Sequence, residues 1–224
     1  MHKVKTGVTV LLIALFGTGC LTNQPQSTPP SARDKTVTRA QPPAGEGIDI
    51  SGYDVAGIKI GMSFDQARKI VARHFSISPQ KIKFGKTGIV NMTRVKEHPS
   101  FFSYANNKES IVVHFTPAVP FTDNMDVIVH SVGYSVSPNT KENQAEVAKA
   151  ALAKYGRGVN SFTPEWCPRP IKYGLKNEFG DIYTCWHNDI ALRVQSSSVT
   201  MSDPGLIALA NDYANKIAKA QPKF

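Results

Sequence analysis

The chain has 224 residues, which is enough for one domain of ordinary size or two small ones. Apolar residues make up 41% of it, so a packed core is possible, and the formal net charge of +9 favours anionic partners such as lipid head groups or polyanionic envelope polymers. The basic residues are scattered, with no run of five or more, and this argues against nucleic acid as a partner.

The beginning of the chain has the three-part pattern of a secretory signal. Lys3 and Lys5 form a positive region, residues 8–16 are mostly apolar, and residues 17–19 are small. The apolar run is too short for a transmembrane helix, which needs about 20 residues. The sequence therefore predicts a signal peptide over residues 1–19.

The end of this signal, Gly17-Thr18-Gly19-Cys20, resembles that of bacterial lipoproteins. In that family the cysteine receives a diacylglyceryl group and becomes the mature N-terminus, so the resemblance implies lipidation of Cys20. Gly17 stands where the family usually has Leu. Leu21, rather than Asp, follows the cysteine, and the resemblance to enterobacterial lipoproteins then implies sorting to the periplasmic face of the outer membrane. The alternative is an ordinary signal peptide and a soluble periplasmic product.

The segment that follows has the composition of a flexible tether. Residues 22–47 are rich in Pro, Ser, Thr, Gln and Ala and contain almost no large apolar residues. Such a segment cannot bury enough surface to offset the entropy of ordering it. We predict a lipidated tether over residues 20–47 and a folded periplasmic domain over residues 48–224.

The cysteine count agrees with this arrangement. If Cys20 carries lipid, Cys167 and Cys185 remain as a pair in an oxidising compartment, and we predict that they form a disulfide bond. The alternative is a reactive thiol at Cys185 beside His187. A nucleophilic thiolate has to stay reduced. A second cysteine in the oxidising periplasm argues against this, because the two thiols would form a disulfide.

The first half of the domain contains one strong helix signal. Ser63 and Gln66 have the spacing of a capping box, and Phe64, Ala67 and Val71 follow at helical spacing. Strands are predicted over residues 87–95, 110–115 and 125–137. In the last of these, alternation places one set of side chains on a common face: Ile128, His130, Val132, Tyr134 and Val136.

The second half repeats the order of helix and then strands. A helix is predicted over residues 143–156 with Gly156 as its C-cap, followed by a hairpin of residues 182–187 and 190–195 around Asn188-Asp189. A third helix begins at Pro204 and has an apolar stripe of Leu206, Ala210, Tyr213 and Ile217. We predict an α+β fold, with an antiparallel sheet and about three amphipathic helices packed on it. The repeated order also allows a division of this domain into two helix-then-strands units, residues 48–137 and 138–224.

One segment carries a family resemblance. Gly61-Met62-Ser63, with Ala67 and Val71 in the helix that follows, is similar to the signature of small envelope lipoproteins related to SmpA/OmlA and to the β-lactamase-inhibitor-protein-like fold. The resemblance covers about a tenth of the chain. It implies a short strand that turns into a helix, an antiparallel sheet, and a role in outer-membrane assembly or inhibition. Residues 149–158 resemble uncharacterised periplasmic proteins. The alternative is that Gly61-Met62-Ser63 is simply a strand-to-helix turn with an N-cap, which unrelated folds also use.

The sequence contains no signature of a known enzyme. Nucleophile elbows, phosphate loops, dinucleotide fingerprints and the His-Glu-x-x-His motif are all absent. His114 and His130 lie on predicted strands and could face each other, but two histidines without a nearby carboxylate make a poor metal site. We predict no catalytic residues, no metal and no cofactor.

Aromatic residues are the best interface candidates. Phe101, Phe102 and Tyr104 form a cluster that reads as an exposed loop, and Trp166 and Trp186 lie near the cysteines. We therefore predict a lipid-anchored, non-enzymatic binding or assembly module with a protein or polyanionic envelope partner. The alternatives are a periplasmic hydrolase or metal-dependent enzyme, for which a cleft with His114, His130 or His187 beside a carboxylate would argue, and an inhibitor or immunity-type protein.

Overall fold

The computed structural model describes residues 45–88, 96–160, 163–177 and 180–220. The described residues form three α-helices, α1 (Phe64–His74), α2 (Lys141–Tyr155) and α3 (Pro204–Ala220). The strands are β1 (Lys83–Gly88), β2 (Glu97–Ala105), β3 (Glu109–Pro117), β4 (Val127–Val136), β5 (Glu165–Trp166), β6 (Pro170–Asn177), β7 (Gly180–Cys185), β8 (Ala191–Gln195) and β9 (Ser198–Ser202). The predicted signal peptide, Cys20 and residues 20–44 of the tether lie outside the described residues.

Seven of these strands form one antiparallel sheet in the order β1-β2-β3-β4-β9-β8-β5. Strands β6 and β7 form a separate antiparallel pair. The α+β class, the antiparallel sheet and the three helices are thereby confirmed. Because β4 pairs with β9, the large sheet contains strands from both of the units suggested by the sequence.

The first helix begins where its capping residues predict. The Gln66 amide nitrogen donates to Ser63 Oγ at 3.3 Å, and the Ser63 amide nitrogen donates to Gln66 Oε1 at 3.0 Å, which completes the capping box. Ala67 and Val71 are buried, as their spacing predicts. The capping-box prediction is therefore confirmed.

The other two helices also have recognisable ends. Helix α2 begins two residues earlier than predicted, at Lys141, because Thr140 Oγ1 accepts a hydrogen bond from the Asn143 amide at 3.2 Å. It ends before Gly156, whose φ of 79° suits glycine. Helix α3 begins at Pro204 as predicted.

The predicted common face of β4 is correct for Val132, Tyr134 and Val136 but wrong for Ile128 and His130, because the strand contains an irregularity. Ser131 pairs with His114, whereas Val129 pairs with Phe115, so His130 is an extra residue in the register. The extra residue reverses the alternation. Val127, Val129 and Val132 are the buried side chains of this strand.

The predicted hairpin around Asn188-Asp189 is also wrong. Strand β7 pairs with β6, while β8 pairs with β9 and β5. Three residues of β8 are buried in the large sheet, namely Ala191, Leu192 and Val194. Strand β8 therefore packs in the core of the large sheet and does not pair with β7.

The predicted strand 87–95 is described only up to Gly88, which ends β1; residues 89–95 lie outside the described part.

The core holds aromatic rings from helices and strands. The Phe64 ring of α1 lies 5.8 Å from that of Phe102 and 5.2 Å from that of Phe115, centroid to centroid. The Tyr155 ring of α2 lies 5.4 Å from that of Trp166. Within the described part of the chain, no helix combines the length and apolar character needed to cross a membrane.

Candidate functional site

The five predicted interface aromatics separate into exposed and buried groups. Phe101 is 40% exposed and Trp186 is 43% exposed, and Tyr104 is half-buried. Phe102 and Trp166 are both 0% exposed. These two side chains belong to the core and have no surface to offer a partner.

Strand geometry explains this correction. Phe101, Phe102 and Tyr104 lie within β2 and not in a loop, so consecutive side chains point to opposite faces of the sheet. Trp166 lies in β5, and its Nε1 donates to the Gly156 carbonyl at 3.1 Å. A buried indole with a satisfied N–H is a core residue.

The structure adds Phe84 to Phe101 as an exposed aromatic. Phe84 lies on β1, which is one of the two outer strands of the described sheet, and is 41% exposed. Gly85 of β1 pairs with Phe101 of β2, so Phe84 and Phe101 lie on opposite faces of the sheet next to its edge. The sequence signal for this site is an aromatic residue enclosed by Lys81, Lys83 and Lys86, and sequence analysis missed it.

An arginine of α1 joins this group. The guanidinium carbon of Arg68 lies 5.8 Å from the Phe64 ring centroid and 5.7 Å from the Phe84 ring centroid. Its Nε is buried and has no hydrogen-bond partner among the described residues. Stacking on aromatic faces therefore holds the cation in place. We call Arg68, Lys83, Phe84, Lys86 and Phe101 the β1 edge surface.

Cations dominate the side chains of this surface. Lys83 and Phe101 share one face, because Lys83 and Gly85 are two residues apart on β1. Phe84 and Lys86 share the other face, where the Lys86 Nζ lies 3.9 Å from Glu97 Oε2. Both members of that ion pair are exposed, so the pairing is weak. The surface is thus aromatic and positively charged.

A second candidate is a groove bordered by α1, α2 and the sheet. It has a volume of about 470 Å³ and apolar walls that include Val136, Val147, Ala151 and Val199. Two polar clusters lie at its margin, one around His74 and one around Lys154. The size and lining are those of a small-molecule site.

The first cluster contains a histidine and a carboxylate. His74 Nε2 lies 3.2 Å from Glu109 Oε2, and the Tyr134 hydroxyl donates a hydrogen bond to the same oxygen. The hydrogen bond from Tyr134, together with His74, lowers the pKa of Glu109 against the opposing effect of burial. Burial and the nearby Glu109 raise the pKa of Tyr134 to about 12. The carboxylate is therefore held ionised and the phenol protonated.

The second cluster is an ion pair. Lys154 Nζ donates to Asp54 Oδ1 at 2.7 Å and to the Asp54 carbonyl at 3.0 Å, and the Tyr155 hydroxyl donates to that carbonyl at 2.5 Å. Burial disfavours the ammonium, but the hydrogen bond with Asp54 and neighbouring charges outweigh it and raise the pKa of Lys154. This cluster ties α2 to the loop before α1.

The predicted histidine pair is present without a metal-ligand set. The rings of His114 and His130 lie 6.0 Å apart, and burial lowers the pKa of each. His130 also lines a cavity of about 520 Å³ together with His98 and residues of α3. In the part of the chain that the structure describes, no group of three or more His, Cys, Asp and Glu could hold a metal ion.

The cysteines of the domain form the predicted disulfide. Cys167 and Cys185 are bonded, with their Cα atoms 5.8 Å apart. The sulfur of Cys185 is therefore not available as a nucleophile, and the reading of Cys185 and His187 as a catalytic pair is wrong for this oxidised form. The His187 ring instead lies 4.5 Å from the Trp186 ring.

Neither known protein families, nor curated proteins, nor solved structures yield a match to this chain. The resemblance to SmpA/OmlA lipoproteins and to the β-lactamase-inhibitor-protein-like fold therefore stays a prediction.

Proposed function

We propose that the protein is a lipid-anchored, non-enzymatic binding module of the bacterial cell envelope. In this proposal Cys20 carries the lipid, residues 20–47 form the tether, and the domain over residues 48–224 projects from the outer membrane into the periplasm. The resemblances at Cys20 and at Gly61-Met62-Ser63 support the location. No nucleic acid and no cofactor are part of the proposal.

The observation that carries the binding role is the β1 edge surface. Phe84, on the outer strand β1, and Phe101, on the neighbouring strand β2, are 41% and 40% exposed on opposite faces of the sheet, and three cations surround them. Exposed aromatic side chains beside arginine are typical anchors of protein interfaces. The positive charge selects an acidic partner and accelerates encounter with it.

We also infer that the three helices pack on the sheet, which makes this surface rigid. Contacts of Phe64 with Phe102 and of Tyr155 with Trp166 support this for α1 and α2. For α3, support comes from buried Ala210 and Ala214, which line the same cavity as His130 of β4. A rigid scaffold lowers the entropy lost on binding.

The anchor is tested by the intact mass of the full chain recovered in detergent from membranes of a bacterial host. A mature chain that begins at Cys20 and carries added acyl mass supports the lipoprotein. An unlipidated soluble product refutes the anchored form, and Cys20→Ser provides the control for the mass shift.

The binding role is tested by photo-crosslinking in the same host. A photoreactive residue at Phe101 should capture a specific envelope protein. The matched control is Leu209, which is 53% exposed on α3 and should not capture that protein. Equal labelling at the two positions, or none at Phe101, would refute the surface as the interface.

A second candidate, a hydrolase, is favoured by one observation. His74 lines an apolar groove and contacts the Glu109 carboxylate, which is the arrangement of a general base and its orienting carboxylate. Sequence analysis had considered His114, His130 and His187 instead. Purified protein should then hydrolyse simple acyl esters, and His74→Gln should abolish this activity. No turnover above the His74→Gln background would eliminate this candidate.

A further inference from the structure

The outer strand β1 leaves one side of its backbone without a neighbouring strand among the described residues. In the part of the chain that the structure describes, β1 pairs only with β2, and each of its six residues is exposed or half-buried. Backbone N–H and C=O groups on such an edge can form hydrogen bonds with an extended segment of another chain.

The edge of β1 is regular along its length. Gly85 pairs with Phe101 and Lys86 pairs with Pro99, so the extra residue, Ser100, belongs to β2 and not to β1. A bulge in an outer strand bends it away from further pairing, whereas β1 has none. Its six residues therefore form an uninterrupted template.

The side chains next to this edge indicate what kind of strand it accepts. An added strand would have Lys83 and Phe101 beside one of its faces, and Phe84, Lys86 and Arg68 beside the other. Both faces thus offer a cation and an aromatic ring. Extended segments that alternate acidic and apolar residues complement both.

We propose that β1 binds an extended acidic segment of the partner protein as an additional strand of the sheet. This inference rests on the proposed function, because it names the mode and the chemistry of binding at the same surface. Backbone hydrogen bonds supply affinity, and the cations and rings supply selectivity.

The same charges oppose a second copy of this chain as the occupant. Pairing of two β1 strands would bring Lys83 and Lys86 of one copy next to those of the other. Like charges on paired strands are destabilising, and lysine on an outer strand is a common protection against self-association. Acidic side chains on an added strand would instead attract these lysines.

The test uses a fluorescent peptide of alternating Glu and Val residues, as long as β1, and the full chain in detergent. Fluorescence anisotropy should report binding that weakens as salt is added. Replacing Glu with Lys in the peptide should abolish binding. Replacing the central Val with Pro should weaken binding about tenfold, which corresponds to the loss of one or two backbone hydrogen bonds.

Variants of the chain provide the matched controls. The double variant Lys83→Glu and Lys86→Glu should no longer bind the Glu-Val peptide and should instead bind the Lys-Val peptide. The pair Lys108→Glu and Lys141→Glu changes the net charge equally at exposed positions in the β2–β3 turn and in α2, and it should leave binding of the Glu-Val peptide intact. Bound peptide should also slow hydrogen exchange of the β1 amides.

The outcomes separate this inference from the proposed function. If the proline peptide binds as tightly as its parent, or if the β1 amides gain no protection, strand addition is refuted, while a partner captured through Phe101 still supports the binding role. Failure of the Glu-Val peptide to bind also refutes the inference. Failure of Phe101 to capture any envelope protein refutes the proposed function itself.

Discussion

The ring of Phe101 covers the backbone of Gly85 so closely that a Cβ atom at Gly85 would lie 2.3 Å from Cε1 of Phe101. The two residues are partners in the pairing of β1 with β2. An aromatic ring laid over a strand glycine compensates for the missing side chain. This contact fixes the orientation of Phe101 on the β1 edge surface.

We expect Gly85→Ala to displace the Phe101 ring and to lower the free energy of unfolding by about 1 kcal/mol through overpacking. Urea unfolding measures the stability, and peptide binding measures the surface. The control is Gly174→Ala on β6, where an added Cβ would meet no atom of the described residues within 4 Å. Equal stability of the two variants would contradict the close contact.

Reduction of the disulfide between Cys167 and Cys185 should destabilise the domain. The cysteines are 18 residues apart, and a closed loop of this size contributes about 3 kcal/mol in the chain-entropy model. Urea unfolding with and without a reductant measures the difference. The double variant Cys167→Ala and Cys185→Ala should be insensitive to the reductant. A midpoint for the native chain that the reductant leaves unchanged would count against a stabilising bond.

Removal of the buried carboxylate of Glu165 should be costly. Its Oε2 accepts hydrogen bonds from Thr184 Oγ1 and from the Cys185 amide, both at 2.9 Å, and Arg193 Nε lies 4.0 Å from its Oε1. Glu165→Ala leaves the Thr184 and Cys185 donors without this acceptor and removes the carboxylate beside Arg193, so we expect a loss of about 2–3 kcal/mol, measured by urea unfolding.

Two comparisons make the Glu165 result interpretable. Glu165→Gln keeps an acceptor oxygen and should lose less stability than Glu165→Ala. Glu97→Ala removes only an exposed ion pair with Lys86 and should change the free energy of unfolding by less than about 1 kcal/mol. If Glu97→Ala proved as damaging as Glu165→Ala, the buried hydrogen bonds would not be the cause.

His130 should make the domain less stable in mild acid. Burial and the neighbouring His114 lower its pKa, so the folded chain takes up this proton at a lower pH than the unfolded chain does. As the pH falls through about 6.5, the unfolded state binds more protons and unfolding is favoured. His130→Gln should therefore flatten the dependence of the urea midpoint on pH between neutral and mildly acidic buffers.

The control for this pH effect is His187→Gln, since His187 is exposed. That variant should keep the pH dependence of the original chain. A domain whose stability rises on acidification through the same interval would reverse the sign of the argument and exclude His130 as its cause.

Local signals predicted the parts of the fold that local chemistry controls. The capping box of Ser63 and Gln66, the C-cap at Gly156 and the start of α3 at Pro204 all depend on residues a few positions apart. The disulfide followed from the cysteine count and the expected compartment.

The predictions were wrong where residues distant in the sequence determine strand register, strand pairing or burial. The extra residue at His130 exists only in the pairing of β4 with β3, so alternation in β4 alone gave the wrong face for Ile128 and His130. The hairpin around Asn188-Asp189 was predicted from a good turn, but the core contacts of β8 with β9 prevailed over it. Phe102 and Phe101 are adjacent and chemically identical, and only their place in the sheet makes one core and the other surface.

By itself the sequence determined the α+β class, the antiparallel pattern, the starts of α1 and α3 and the cysteine pair, because propensity, capping and composition act over short distances. Only the tertiary structure decided which aromatic side chains are exposed and which strand lies at the edge of the sheet. It also decided that Arg68 stacks on Phe84 and that His74 contacts Glu109. These relationships join residues from separate elements, and burial is a property of the assembled sheet and helices rather than of any segment.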